Sequence, residues 1–115
     1  MNDVPRRRTL EPPDLAGLDV EQAVARLIAY AAGLPASDLF ISAEEDDATI
    51  CVRHLSVVRQ LLKVSREDAV RFVNHVKAMA GMPVDQRLRP SDGRWVCNVD
   101  EQHRVDVRVN TVPTL

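Results

Sequence analysis

The stretch DLFISAEEDDATICVR, residues 38–53, decides the fold class of this chain. Two apolar-centred runs, 38–42 and 49–53, have the length and the β-branched or aromatic content of strands, and the acidic segment 44–47 separates them. This pattern predicts a β-hairpin. A third strand is predicted at 57–62, although the intervening Leu55 and Ser56 lack ordinary turn chemistry.

Helical periodicity lies on both sides of these strands. Apolar residues recur on one helical face over 20–33, where Asp19 and Gln22 have the spacing of a capping box. Ser65 has the position of an N-cap for a second helix that ends at Gly81. The apolar stripe of that helix consists of Ala69, Phe72, Val73, Val76, Met79 and Ala80.

The last third of the chain is predicted to be extended again. Strands are expected at 94–98 and 103–111, separated by the polar turn 99–102. The second of these strands alternates, with Val105, Val107 and Val109 on one face and Asp106, Arg108 and Asn110 on the other.

The resulting order α-β-β-β-α-β-β predicts an α+β fold, a mainly antiparallel sheet with two principal helices packed on it. At 115 residues the chain fits one core and one domain. Residues 1–17 combine three prolines with the triplet Arg6 to Arg8, which predicts a flexible N-terminal arm before a domain at 18–115.

Composition excludes several classes of function. The net charge is −2 and aromatic residues make up 3% of the chain, so we expect no nucleic-acid partner. No window approaches the roughly 18 apolar residues of a membrane span, so we expect a cytoplasmic protein without direct membrane insertion. Cys51 and Cys97 lack CxxC spacing and the three histidines are dispersed, which favours buried reduced thiols and no metal site.

Arginines carry the strongest functional signal of the sequence. Arg87 and Arg94 bracket the turn-like segment PSDG, residues 90–93, and Arg108 lies in the last strand. A guanidinium presents a planar fork of donors that matches phosphate or carboxylate oxygens, so these residues are candidate anion contacts. Two structural alternatives stay open: Arg94 could brace the turn by pairing with Asp92 or Asp106, and Arg108 could form a cross-strand ion pair.

This chain has no G-x-x-x-x-G-K-[ST] loop, and its four glycines stand singly. We therefore expect no catalysis by the chain alone, and any phosphate near the arginines would have to be held by another domain.

Five ordered motifs resemble one family. They are ASDLFI at 36–41, Val52-Arg53, HVKAMAGM at 75–82, Arg87 with PSDGR at 90–94, and VDVRVNTVPT at 105–114. Together they are similar to the second N-terminal domain of type II secretion and type IV pilus assembly ATPases, whose patterns read approximately A-S-D-I-H-I-E-P, R-I-K-V-M-A-G-M, R-x-x-P-Q-D-G-R and V-D-x-R-V-S-T-x-P-T. The chain departs from these patterns at Phe40, where the family usually has His, at Ser42 and Ala43, which replace Glu-Pro, and at Ser91, which replaces Gln. Leu55 to Val57 also replace an I-D-G turn of the family.

The resemblance implies a PAS-like domain that precedes a RecA-like ATPase domain with Walker motifs. It implies that ATP and Mg are bound by the C-terminal ATPase domain of the same or a neighbouring subunit. Arg87, Arg94 and Arg108 are then implied to contact the phosphates of that ATP. It further implies a homohexamer peripheral to the inner membrane, where the secretion or pilus platform is the partner. The chain stops where the linker and ATPase domain would follow, so a truncated or isolated regulatory domain is expected.

Two other interpretations stay open at this point. A stand-alone PAS-like module could act through protein contacts, with its arginines serving structure or an acidic partner. A small independent enzyme is disfavoured, because the sequence contains no visible nucleophile-base pair, metal cluster or cofactor loop.

Overall fold

The computed structural model of the chain describes residues 11–84 and 90–111. Within these residues the predicted element order and the α+β class are confirmed. The elements are α1 (Val20–Gly33), β1 (Asp38–Ala43), β2 (Asp47–His54), β3 (Val57–Ser65), α2 (Arg66–Met79), β4 (Ser91–Asn98) and β5 (Arg104–Thr111).

Both predicted helix starts are confirmed by their caps. The Asp19 carboxylate accepts the Gln22 amide at 2.8 Å, and the Gln22 side chain accepts the Asp19 amide at 3.1 Å, which completes the capping box of α1. The Ser65 hydroxyl accepts the Asp68 amide at 3.0 Å and caps α2.

The end of α2 is a Schellman motif. Gly81 has φ +72°, its amide donates to the Ala78 carbonyl at 3.2 Å, and the Met82 amide donates to the Lys77 carbonyl at 2.8 Å. Glycine suits this position because a Cβ is disfavoured at positive φ. The motif turns the chain so that Met82 is buried directly after the helix.

The five strands form two antiparallel sheets. One has the order β1-β2-β3, and the other is the two-stranded ribbon β4-β5. Leu55 and Ser56 connect β2 to β3, and both have positive φ, +53° and +67°, as a type I′ hairpin turn requires. The register of β2 with β3 shifts between Ile50 and Cys51.

The core lies where the helices meet the sheets. Helix α1 packs against α2 and also contacts both strands of the ribbon, while α2 contacts all three strands of the larger sheet. Leu27, Ile50 and Val52 are fully buried at its centre, and Phe72 and Cys97 belong to the same cluster.

Two expectations about burial are wrong in detail. Met79, predicted on the apolar stripe of α2, is exposed, and Lys77 is buried in the same helical turn. A lysine is tolerated there because its aliphatic stem packs like an apolar side chain. Cys97 is buried as expected, but Cys51 is only half-buried, because it alternates with the buried Ile50 and Val52 and so lies on the other face of β2. Both thiols are free.

The predicted arm falls partly outside the described residues, since residues 1–10 are not among them. Within the described part, Leu15 and Leu18 pack against the core cluster. No helix in residues 11–84 and 90–111 combines the length and apolarity that membrane crossing requires.

Candidate functional site

The ribbon β4-β5 places two of the three candidate arginines on the same face. Trp95, Cys97, Val105 and Val107 alternate toward the core, so the residues between them face solvent. Arg94 and Arg108 are both on this exposed side. We call the outer side of the ribbon, formed by Asp92, Arg94, Val96, Asn98, Arg104, Asp106, Arg108 and Asn110, the ribbon face.

Arg94 and Arg108 are direct cross-strand partners in the ribbon register. Side chains that oppose each other in this way have Cβ atoms about 4.5–5.5 Å apart, and like charges at such positions destabilise the pairing. An anion between the two guanidinium groups would relieve that repulsion. The register therefore creates a place where a phosphate or carboxylate is favourable.

Asp106 compensates this charge only in part. Arg94 Nη2 lies 3.9 Å from Asp106 Oδ2, and both side chains are about 70% exposed (69% and 71%). An ion pair this long and this exposed contributes little, well under about 1 kcal/mol. The structural alternative for Arg94, pairing with Asp106, is thus present but weak, and it leaves the guanidinium accessible.

Arg108 does not form the expected alternative contact within the described residues, where no salt bridge to it is found. Arg87 lies outside the described residues, so its predicted role in the site stays a prediction.

The turn of the ribbon is fixed by Asp100. Its Oδ1 accepts the amides of Gln102 and His103, each at 2.8 Å, and both carboxylate oxygens lie 2.9 Å from His103 Nδ1. The amide of Gln102 and the side chain of His103 stabilise the ionised carboxylate, so the pKa of Asp100 is lowered. The other end of the ribbon is joined by a 2.9 Å hydrogen bond between the hydroxyls of Ser91 and Thr111.

Gly93 fixes the ribbon against α2. A Cβ at Gly93 would lie 2.6 Å from the Ala80 carbonyl oxygen and 2.7 Å from Met82 Cγ. Only glycine fits between the strand and the end of the helix at this distance. Because Arg94 is the next residue, the contact also sets where its side chain leaves the ribbon.

Anion binding is the chemistry that this geometry supports. Two permanently charged, exposed guanidinium groups sit on a strand pair that is anchored at both ends, so the site can contact charge without large rearrangement. Among the described residues, no group of three His, Cys, Asp or Glu side chains is close enough to hold a metal ion. The fold and the site define a small α+β domain that presents an arginine pair.

Comparisons with known proteins place this domain in a family. The family model described as "Type II/IV secretion system protein" matches residues 17–115, and the chain belongs to that family. This confirms the resemblance that the five sequence motifs indicated.

Curated relatives agree with the family. The chain is 32% identical over 99 residues to competence protein ComGA of Bacillus subtilis (strain 168), covering 84% of this chain and 27% of ComGA. It is 33% identical over 79 residues to type IV pilus assembly ATPase PilB of Pseudomonas aeruginosa, covering 69% of this chain and 14% of PilB. It is 32% identical over 105 residues to type II secretion system protein E of Pectobacterium carotovorum, covering 88% and 21%.

The chain thus spans about a quarter or less of the length of these relatives. Membership in the family is established by the match over residues 17–115.

Sequence reasoning found the arginines but missed the residues that position them. An aspartate in a turn commonly accepts hydrogen bonds from backbone amides two and three residues later, and the position of Asp100 in the segment 99–102 could have indicated this contact. The contact between Gly93 and Ala80 joins residues thirteen positions apart, and no local pattern in the sequence predicts it.

Proposed function

We propose that this domain is a noncatalytic regulatory part of a type II secretion or type IV pilus assembly ATPase, and that Arg94 and Arg108 contact the phosphates of ATP bound by a separate ATPase domain. The observation that carries the proposal is the direct opposition of the two arginines on the ribbon face. A nucleotide triphosphate would supply the negative charge that this opposition favours, and developing charge on the transferred phosphoryl group would strengthen the contact.

Arg87 belongs to the same proposal as a third phosphate contact. Its support is the motif that it forms with Arg94 in the sequence, since it lies outside the described residues.

The further parts of the proposal rest on membership in the family and on analogy with its relatives. One of them is a pilus assembly ATPase and others are type II secretion proteins. By analogy, ATP and Mg would be bound by a C-terminal ATPase domain of the same or a neighbouring subunit. The intact protein would be a cytoplasmic homohexamer that acts on the inner-membrane platform, and its PAS-like domain would transmit motion. The arginines are on a ribbon held by Gly93 and Asp100, which suits transmission by a rigid body.

The test is steady-state ATP turnover of a protein in which this domain is joined to its ATPase domain. We expect Arg94→Ala and Arg108→Ala each to lower turnover about 100-fold, as for removal of one transition-state donor. Arg94→Lys should recover part of the loss, because it keeps the charge but not the fork. Arg71→Ala is the matched control, since Arg71 is an exposed arginine on α2 paired with Asp68 at 3.0 Å.

Circular dichroism and thermal denaturation of each variant domain exclude misfolding as the cause. Unchanged turnover in both arginine variants, with unchanged spectra, would show that the ribbon face does not contact the nucleotide. An equal loss of turnover in the Arg71→Ala control would also refute the proposal, because the effect would not be specific to the ribbon face.

A second candidate is an interaction module that acts through protein contacts alone. The observation that favours it is the exposed apolar turn between β2 and β3, where the Leu55 side chain is 79% exposed. Reading the gene beyond codon 115 separates the two: a Walker A motif one linker downstream supports the ATPase proposal, and a stop codon supports the module.

A further inference from the structure

The arginine pair has a second pair of polar side chains beside it on the ribbon face. Asp92 lies opposite Asn110 in the ribbon register, and Arg94 lies opposite Arg108 two residues further along the strands. Positions two residues apart on a strand share a face and are separated by about 7 Å. Asp92 and Asn110 are exposed, as the two arginines are. An anion held by the arginine pair would thus have a carboxylate and an amide within a few ångströms on one side.

A shallow cleft of about 320 Å³ lies at this end of the ribbon. It is lined by Pro90, Ser91, Asp92, Asn110 and Thr111. Ligand pockets have volumes of about 300–1,000 Å³, so this cleft has room for a part of a nucleotide, such as its sugar, rather than for the whole molecule. The cleft and the arginine pair adjoin each other along the same two strands.

The polar groups of the cleft differ in what they offer to a ligand. The partly buried hydroxyls of Ser91 and Thr111 are hydrogen-bonded to each other at 2.9 Å, and Thr111 Oγ1 also lies 3.4 Å from the Ser91 carbonyl oxygen. Within residues 11–84 and 90–111, no salt bridge involves Asp92. The exposed side chains of Asp92 and Asn110 are therefore the groups of the cleft that can reach a ligand.

A carboxylate beside an anion site restricts the chemistry of the ligand. An ionised carboxylate accepts hydrogen bonds and donates none, and it repels a phosphate, so Asp92 suits a neutral group that donates. The two adjacent hydroxyls of a ribose meet this requirement, and acidic residues accept hydrogen bonds from ribose hydroxyls in dinucleotide-binding folds. The amide of Asn110 offers both a donor and an acceptor to the same sugar.

Phosphates and ribose are neighbours in a nucleotide, just as the two pairs of side chains are neighbours on the ribbon. We propose that Asp92, with Asn110 beside it, binds the ribose hydroxyls of the nucleotide whose phosphates contact the arginine pair. This inference rests on the proposed function and extends it, because the ribbon face then recognises a ribonucleotide and not only a phosphate group.

Steady-state turnover of ATP and of 2′,3′-dideoxy-ATP tests the proposal, in a protein where this domain is joined to its ATPase domain. The dideoxy compound keeps the triphosphate and lacks both hydroxyls. We expect kcat/KM of the wild type to be about tenfold or more higher for ATP, as for a hydrogen bond to a charged group. Asp92→Ala should lower this ratio by about tenfold, and Asn110→Ala by about threefold. A change in the charge around the arginine pair alters both substrates alike and cancels in the ratio.

Asp106→Ala is the matched control. Asp106 is the other carboxylate of the ribbon face, its side chain is 71% exposed, and it lies on the opposite side of the arginine pair from the cleft. This variant should leave the ratio unchanged. Arg94→Ala should lower kcat/KM for both nucleotides and also leave the ratio unchanged, because the two nucleotides carry the same triphosphate. Circular dichroism of each variant domain excludes misfolding.

Three results would each overturn the proposal. They are equal kcat/KM values for the two nucleotides in the wild type, a wild-type ratio in Asp92→Ala, and a fall of the ratio in Asp106→Ala as large as in Asp92→Ala. Any of them leaves the proposed function intact if Arg94→Ala still lowers turnover of both nucleotides. Failure of the proposed function has a different signature, which is unchanged turnover in the arginine variants.

Discussion

Replacing Gly93 by alanine should destabilise this domain for a steric reason alone. The new Cβ would lie 2.6 Å from the Ala80 carbonyl oxygen, 2.7 Å from Met82 Cγ and 3.0 Å from Ala80 Cβ. The methionine side chain can move, but Ala80 is the C-cap residue of α2, and the hydrogen bonds of the Schellman motif hold its backbone in place. The ribbon must therefore shift away from the helix, and Cys97 and Trp95 in the same strand would lose packing.

The magnitude follows from two opposing effects. Overpacking of a closely packed site costs about 1–3 kcal/mol. Gly93 does not have the positive φ that would strain an alanine, so the lower entropy of the unfolded variant chain returns about 0.4–1 kcal/mol. We expect a net loss of about 1–2 kcal/mol in the free energy of unfolding. Each kcal/mol lost should lower the melting temperature by about 4–8 °C.

Urea and thermal denaturation followed by circular dichroism measure this loss. Gly33→Ala is the matched control, because Gly33 ends α1, has no heavy atom within 4 Å of its built Cβ and does not have a positive φ. That variant should be unchanged or more stable by up to about 1 kcal/mol. If Gly93→Ala is as stable as the control, the close approach of the ribbon to α2 is not a constraint and the reasoning fails.

Three further predictions concern caps, pH and thiols. Asp19→Ala removes the carboxylate that accepts the Gln22 amide in the α1 capping box and should lower the free energy of unfolding by about 1 kcal/mol, measured by urea denaturation; an unchanged midpoint would contradict it. The pKa of Asp100 is lowered in the folded state, so its stabilisation is present near neutral pH and is lost as pH falls through that pKa; the gap in melting temperature between wild type and Asp100→Asn should close in acid, and a constant gap would argue against it. Burial, and to a smaller extent Glu21, raises the pKa of Cys97, so a maleimide near neutral pH should label the half-buried Cys51 first, as read by mass spectrometry of peptides; faster labelling of Cys97 would refute the assigned burial.

Much of the fold could be predicted because its signals are local. The capping residues Asp19 and Ser65 each accept a hydrogen bond from an amide three residues later in the sequence. Val105, Val107 and Val109 alternate with a period of two residues. The range of α1 and the start of α2 were therefore predicted correctly, together with the faces of β5. Strand ends were less accurate: β3 continues to Ser65 and β4 begins at Ser91, because pairing with a neighbour extends strands beyond their apolar centres.

The candidate site was predictable in its residues and not in its geometry. Arg94 and Arg108 stood out by chemistry and by family motif. Their direct opposition depends on the register of β4 with β5, which the five-residue turn 99–103 and the Asp100 hydrogen bonds fix. A register shifted by one residue would place the arginines on opposite faces of the ribbon.

By itself, the sequence determined the order of elements, the helix caps, the family and the identity of the arginines, since each depends on neighbouring residues or on a motif. Only the tertiary structure decided that the strands divide into two sheets, that Gly93 contacts Ala80 and Met82, and that a groove lies between the starts of the two helices. The physical reason is that these features arise from packing between segments distant in the chain, where volume and backbone geometry act together and leave no periodic trace in the sequence.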